Sequence, residues 1–429
     1  MKFKVEWIGG NRVDLLENGD TYLPAVYEAI DAARHEIVIE TFILFEDPVG
    51  RDIQQHLINA ARRGVEVDLT VDGFGLPDLS DVFISDLTDA GVRVHVYEPI
   101  PIVRQLNPLR RLHRKIIVVD GRIAFVGGIN LSEDHLESFG DKAKQDYAVR
   151  IEGPVVDNIH TLVRQALALV RQQLKVGRSW RLAFVAPSNS RDEQHAAGPV
   201  GVSTPHAAPG NASVAFVSRD NHDHRTDIER AYRMAIRAAR DTVLIANAYF
   251  FPGYRLLRDL RRAAARGVKV DLILQNNPDV PIARVAGRLL YESLIKDGVT
   301  IHEYCRREMH GKVAVVDGVW STVGSSNLDP LSLSLNLEAN VLIRDVEFSA
   351  KLQQRLQYLI EHDCERTKLD GLPRLTMWRY LLGWLAYHVS RGYPRWLSAL
   401  PHFGLRIRSF VRGRSIDTKA AVQTATNAK

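Results

Sequence analysis

The sequence predicts an α/β protein in which one structural unit is built twice, and three observations carry that prediction. Short β-branched runs alternate with helical stretches that end in glycine. The alternation occurs once in each half of the 429-residue chain, in the same order. Each round closes on the same polar string, His113-x-Lys115-x4-Asp120 and His310-x-Lys312-x4-Asp317. A glycine-bearing turn and an asparagine follow each copy, Gly127-Gly128-Ile129-Asn130 and Gly324-Ser325-Ser326-Asn327. One such string arises by chance in roughly a few per cent of chains this long. Two with matching surroundings do not.

The elements follow in order. Ile30-Asp-Ala-Ala-Arg34 ends a helix and leads into the strand Ile37-Val-Ile-Glu40-Thr-Phe42; Ile236-Arg-Ala-Ala-Arg240 does the same ahead of Val243-Leu-Ile-Ala246 and the aromatic run Tyr249-Phe250-Phe251. A second helix ends at Gly64 before Val65-Glu-Val-Asp68-Leu, matched by Gly267 before Val268-Lys-Val-Asp271-Leu. Ala90-Gly-Val-Arg-Val-His95 pairs with Asp297-Gly-Val-Thr-Ile-His302 just ahead of each motif. The motif is itself a strand signature: Lys115-Ile-Ile-Val-Val-Asp120 turns and re-enters as Ile123-Ala-Phe-Val126, and Lys312-Val-Ala-Val-Val-Asp317 re-enters as Trp320-Ser-Thr-Val323. Residues i and i+2 of an extended chain share a face, so each histidine projects with its lysine. The organisation expected is a first lobe over 1–185, a linker or exposed loop over 186–213, a second lobe over 214–370, a basic amphipathic segment over 371–414 and a disordered tail over 415–429.

Composition sets bounds. Hydrophobic content of 45% and charged content of 25% are those of a globular protein, and the length admits two ordinary domains. Net charge is only +5, but 43 of the 56 basic residues are arginine. Planar bidentate donors suit phosphate; a general compositional bias explains many surface arginines equally well. Arg110, Arg111 and Arg114 beside the first histidine read as solvated charge. Cys305 and Cys364 are too few for a disulfide framework, so a reducing compartment is expected. The N-terminus lacks the apolar run of a signal peptide, and no stretch reaches the 18 or so apolar residues of a spanning helix. A cytoplasmic body with peripheral membrane contact is expected.

Two histidines, two lysines and two asparagines suit one chemistry. Lysines and amides donate to the equatorial oxygens of a phosphorus in transfer. One neutral imidazole attacks, giving a phosphohistidine; the other, protonated, supplies the leaving oxygen with a proton and later takes one from the incoming hydroxyl. No metal or other cofactor is expected. Each histidine needs an orienting carboxylate, and the candidates are Asp146 and Glu338, each reaching the opposite half's histidine across a pseudo-twofold axis; both also fit as ordinary strand-edge carboxylates. The catalytic set is His113, Lys115, Asp120, His310, Lys312 and Asp317, with Asn130 and Asn327 for phosphate or, on the plainer reading, turn residues. Asp120 and Asp317 lie 7 residues beyond their histidines, about 23 Å along an extended chain, which suits securing turns rather than touching phosphate.

The paired motifs resemble those of the phospholipase D superfamily over roughly residues 5–365. Leu15-Leu-Glu-Asn-Gly19, Phe45-Glu-Asp47, Pro77-Asp-Leu-Ser80, Asp141-Lys-Ala-Lys-Gln-Asp-Tyr-Ala-Val-Arg150 and the long run from Val323 to Asn340 are similar to bacterial cardiolipin synthases within it. The resemblance implies two pseudo-twofold-related lobes, each a mixed sheet flanked by helices, sharing one active site. It implies phosphatidyl transfer from phosphatidylglycerol, with phosphatidylethanolamine as a second candidate substrate, to phosphatidylglycerol, giving cardiolipin and glycerol, with His113 as nucleophile and His310 as acid and base. A hydrolase or nuclease acting on other phosphodiesters is the alternative; no nucleic-acid partner is expected, and the sequence leaves the oligomeric state open. Many relatives begin with two spanning helices that this chain lacks. Leu375, Trp378, Leu382 and Leu385 form one helical stripe, and arginines follow as far as Arg414. That pattern suits an interfacial segment on anionic lipid at the cytoplasmic face of a bacterial membrane, or a helix packed on the body. Phe42, Phe45, Tyr249, Phe250 and Phe251 are candidates for an acyl channel or for core.

Overall fold

The computed structural model describes residues 5–74, 79–98, 111–175, 208–221, 223–276, 290–329, 332–368, 406–411 and 414–415. The first half runs β1 (Ile8–Glu17), α1 (Asn18–Ala32), β2 (Glu36–Thr41), α2 (Pro48–Arg62), β3 (Glu66–Asp72), α3 (Asp81–Asp89), β4 (Arg93–Glu98), β5 (Ile116–Val119), β6 (Ile123–Gly127), β7 (Lys144–Gln145), β8 (Tyr147–Glu152) and α4 (Val156–Lys175). The second repeats the order: β9 (Ala212–Arg219), α5 (Asp227–Ala238), β10 (Thr242–Asn247), α6 (Tyr254–Ala265), β11 (Lys269–Gln275), α7 (290–296), β12 (Thr300–Tyr304), β13 (Glu308–Met309), β14 (Lys312–Val316), β15 (Trp320–Gly324), β16 (Glu338–Arg344), α8 (Val346–His362) and β17 (Cys364–Arg366).

The fold is mixed α/β. In the first half the neighbours run β1-β8-β6-β5-β2-β3-β4, with β2, β3 and β4 parallel and the rest antiparallel. The second half gives β9-β16-β15-β14-β10-β11-β12-β17 on the same plan. Strands β1 and β9 pair antiparallel through Ile8 with Val214 and Asn11 with Ala212, joining the two sheets edge to edge. The motif strands β5 and β14 are buried along their whole lengths, which is why they read as unbroken apolar runs rather than alternating ones.

Local chemistry starts the helices where the sequence strings stand. Asp47 accepts the Gly50 amide at 2.8 Å with Pro48 in the first turn of α2, Ser80 accepts the Phe83 amide at the head of α3, and Asp345 caps α8 through Phe348. One apolar cluster fills the first half between α1, α2, α3 and the sheet, and another fills the second between α5, α6 and its sheet. A third belongs to both: Val118, Val149 and Ile159 pack in the same cluster as Val315, Val341 and Leu352. The halves therefore share a core as well as a site.

Two boundaries differ from the sequence expectation. Strand β9 begins at Ala212, inside the expected linker, because its apolar alternation starts before the polar composition ends. Within the expected amphipathic segment, Arg406–Val411 forms β18, antiparallel to β4, and Arg414–Ser415 forms β19 beside it, taking in the first residue of the expected tail. Strand β4 offered an unpaired edge, and a β-branched and aromatic run in the tail satisfies it. The stripe from Leu375 to Leu385 and most of the expected linker lie outside the described residues. Among the described residues, no helix is long and apolar enough to cross a membrane.

Candidate active site

Each motif histidine sits at the end of a short segment that crosses to the other half. Leu112 bridges Leu337 in parallel, the His113 amide donates to the Leu337 carbonyl at 3.0 Å, and the Leu337 amide donates to Arg111. In the second half β13 pairs in parallel with β7, and the amides of His310 and Gly311 both donate to the Gln145 carbonyl at 2.9 Å. Side chains complete both crossings: buried Asp72 accepts the Leu112 amide, and half-buried Gln275, three residues past Leu272 as Asp72 is past Leu69, accepts the Met309 amide.

The crossings exchange carboxylates. His113 Nδ1 lies 3.0 Å from Glu338 Oε2, and His310 Nδ1 lies 2.5 Å from Asp146 Oδ2. Both carboxylates are wholly buried, while the histidines keep a little exposure. A carboxylate on Nδ1 leaves Nε2 as the nitrogen free to meet phosphorus. Burial pulls both histidines below the ordinary imidazole range; Glu338 opposes this for His113, and the lysines add to it for His310. The two carboxylates differ. Glu338 is held below its usual range, against the pull of burial, by His113, Lys115 and the Ser325 hydroxyl, which donates at 2.5 Å. Asp146 has Gly128 where Glu338 has Ser325, and burial pushes it up to about 6. Gly128 is required there, since a Cβ would stand 2.3 Å from Asp146 Oδ1.

Lys115 and Lys312 are buried, each donating to the carbonyl of its own motif histidine. Burial lowers them to about 7 and about 8; the Lys312 ammonium adds to the fall at Lys115, and Lys144 adds to that at Lys312. Asn130 is buried, accepting the Ile43 amide at 3.3 Å, and Asn327 Oδ1 is buried with no partner among the described residues.

Asp120 and Asp317 do not belong with these groups, and their place in the catalytic set is corrected. At φ 52° each, they fold back over the motif hairpin. Asp120 accepts the amides of Arg34, His35 and Glu36, and Asp317 those of Arg240, Asp241 and Thr242. They secure the helix-to-strand turns ahead of β2 and β10, as their distance along the chain argued. Arg114 is also corrected: it is buried, with Nε 2.8 Å from Glu40, so it is an internal ion pair rather than solvated charge. Of the aromatics, Phe250 is core. Phe42 lies at the site, 4.9 Å from the His113 ring and 5.7 Å from Phe74.

The sequence reading missed two contributors. Asn18, in a left-handed conformation at φ 60°, clamps Asp146 by donating its amide to the Asp146 carbonyl and accepting the Asp146 amide, both at 2.9 Å. Its signal was the Glu17-Asn18-Gly19 string. His135, on a short turn after Asn130, is buried with its ring 5.6 Å from that of His310. It stands where the second half has Ser332, so the repeat hid it. Among the described residues, His135, Asp146 and His310 bring three metal-ligating atoms within 4.8 Å of one another. The Asp146–His310 edge of 2.5 Å is shorter than the about 3.3 Å that two ligands span across tetrahedral zinc. That edge is a hydrogen bond between His310 Nδ1 and the carboxylate.

Two like halves that exchange a carboxylate for a histidine across their junction, with paired buried lysines, define a phospholipase D-like protein. The family model for the phospholipase D-like domain of cardiolipin synthases matches residues 26–166 and 232–360. Over 400 residues the chain is 49% identical to cardiolipin synthase B of Salmonella typhi and 48% identical to that of Escherichia coli strain K12, in each case over 93% of this chain and 92% of the relative. The solved phosphatidylserine synthase of Haemophilus influenzae Rd KW20 shares the fold, with a TM-score of 0.64 over 93% of this chain and 97% of that one at 13% identity. The chain belongs to the phospholipase D-like cardiolipin synthase family.

Proposed function

We propose that the chain is a phosphatidyltransferase that makes cardiolipin from phosphatidylglycerol and releases glycerol. The observation that carries the reading is the exchange of carboxylates: two imidazoles, each bonded through Nδ1 to a buried acid of the other half. His113, beside an ionised Glu338, attacks the phosphorus of one phosphatidylglycerol through Nε2, forming the N–P bond as the bond from phosphorus to the glycerol headgroup breaks. His310, sharing its proton with Asp146, protonates the departing glycerol oxygen. A second phosphatidylglycerol then gives its hydroxyl proton to His310; its oxygen attacks the phosphohistidine, and His113 leaves. Lys115 and Lys312, with the side-chain NH2 groups of Asn130 and Asn327, hold the phosphate oxygens.

Phosphatidylethanolamine is a second candidate donor, since the same groups act on any phosphatidyl diester. The chain works from the cytoplasmic face of the membrane as a peripheral protein. The arginine-rich residues up to Arg414 support anionic-lipid contact worth about 1 kcal/mol per basic residue near the surface. Lobes over 1–185 and 212–370 supply one histidine each. Mass spectrometry of products from labelled phosphatidylglycerol, with glycerol and water as competing acceptors, tests the assignment. Cardiolipin as the main product is expected; release of phosphatidic acid alone would make the chain a hydrolase. His113→Ala and His310→Ala should each lower turnover by about 10³-fold or more while vesicle binding survives.

A further inference from the structure

The third histidine belongs to neither copy of the motif. His135 lies on the turn after Asn130, fully buried. The Asn130 amide donates to its Nε2 at 3.2 Å, and an N–H can only donate, so Nε2 keeps its lone pair and the ring proton is on Nδ1. That Nδ1 is buried without a hydrogen-bond partner among the described residues. It stands 4.0 Å from Asp146 Oδ2, the oxygen that holds His310, and the ring meets the His310 ring edge-on at 5.6 Å. The turn is pinned: the Glu133 amide donates to Asp47, the Ser132 hydroxyl to Asp134, and the His135 amide to Ser132. A buried, rigidly held donor aimed at a catalytic carboxylate asks for a reason, because leaving an N–H unpaired in a protein interior is costly.

The two halves supply it. In the second, Ser325 donates to Glu338; in the first, the matching residue is Gly128, packed too close to Asp146 to carry a side chain. We propose that His135 is a positioning residue for the Asp146–His310 couple, its Nδ1–H serving Asp146 as the Ser325 hydroxyl serves Glu338. At 4.0 Å the contact is a dipole against a charge rather than a hydrogen bond. It favours the ionised carboxylate and so keeps the shared proton on His310, the group that must deliver it. Other charged or titratable groups facing the couple are Lys144 from β7, Lys115 and Lys312 from the motifs, Asp134 from the turn and Tyr22 from α1. All remain in the variants below, so a change is assignable to His135.

The inference rests on the proposed acid–base role of His310, and its test separates the two. The kcat/KM for cardiolipin formation is measured against pH, with phosphatidylglycerol in detergent mixed micelles, for the full chain and three variants. His135→Asn keeps a donor within reach of Asp146 but no acceptor for Asn130. His135→Gln keeps an acceptor toward Asn130 but no donor at Nδ1, and His135→Phe keeps ring volume alone. Without the donor Asp146 becomes harder to ionise, so the acid limb should move to higher pH by about half to one unit in the Gln and Phe variants, with kcat reduced and KM little changed. His135→Asn should hold the wild-type limb. Limbs that coincide with wild type in the Gln variant, or that move equally in Gln and Asn, would overturn the proposal, and those two variants decide it even where Phe does not fold. His310→Ala runs alongside. Wild-type turnover there would overturn the acid–base reading and this inference with it; an inactive His310→Ala beside an unshifted His135→Gln overturns this inference alone.

Discussion

Lysines buried beside histidines make the residue chemistry sensitive to pH in both directions. Asp146, pushed up to about 6, must be ionised to hold His310, so kcat/KM falls as pH drops through that region. Lys115 and Lys312, lowered to about 7 and about 8, must be charged to hold phosphate, so kcat/KM falls again as pH rises through those values. A bell centred near neutrality is the expected profile of the free enzyme. Lys115→Arg, charged at every accessible pH, should move the alkaline limb upward if the pocket admits the larger fork, and a stopped-time assay across pH 5 to about 10 reads this directly. Glu338→Gln and Asp146→Asn leave a hydrogen-bonding group but remove the counter-charge and misassign the imidazole tautomer. Each should lower kcat by about 10²–10⁴ with KM nearly unchanged.

Within elements, the same carboxylate logic serves the fold instead of the reaction. Asp120 and Asp317 each gather three backbone amides at a helix-to-strand turn, and these amides hold Asp317 below its usual range. That stability is present above about pH 4 and is lost on acidification. Asp317→Asn should cost about 1–2 kcal/mol, discounted because the turn faces solvent, and should lower Tm without shifting the pH–rate limbs. A change in the limbs would return Asp317 to the catalytic set. Repeated buried pairs, Asp68 with His95 and Asp271 with His302 at 2.9 Å, tie β3 to β4 and β11 to β12 in the same manner. Strand β18 closes the exposed edge of β4. Ending the chain at residue 405 should therefore promote aggregation and lower Tm while sparing turnover on detergent-dispersed substrate; loss of turnover in proportion to vesicle binding would assign the tail to the membrane alone.

At the scale of the molecule, neither half is chemically complete. Each brings a histidine whose carboxylate belongs to the other, and the packed cluster of Val118, Ile159, Val315 and Leu352 lies under both motif strands. Residues 1–185 and 208–429 produced as separate chains, so that β9 stays whole, should each be inactive, and co-expression should restore transfer. Activity in either half alone would mean that one histidine suffices.

The duplicated string, the strand period and the glycine-ended helices determined the architecture and most of the site, because side-chain alternation and hydrogen-bonding at turns are local and repeat with the chain. Asp47, Ser80 and the Asn18 clamp lie in strings that marked the family before their bonds were visible. Folding alone decided the rest. That Arg114 is sheltered by Glu40, that Asp120 gathers amides 86 to 84 residues upstream, and that His135 faces Asp146 all depend on which distant segments pack together. A side chain's charge state and partners are set by burial and by neighbours in space, and a singular residue such as His135, with no copy in the other half, leaves no period to read.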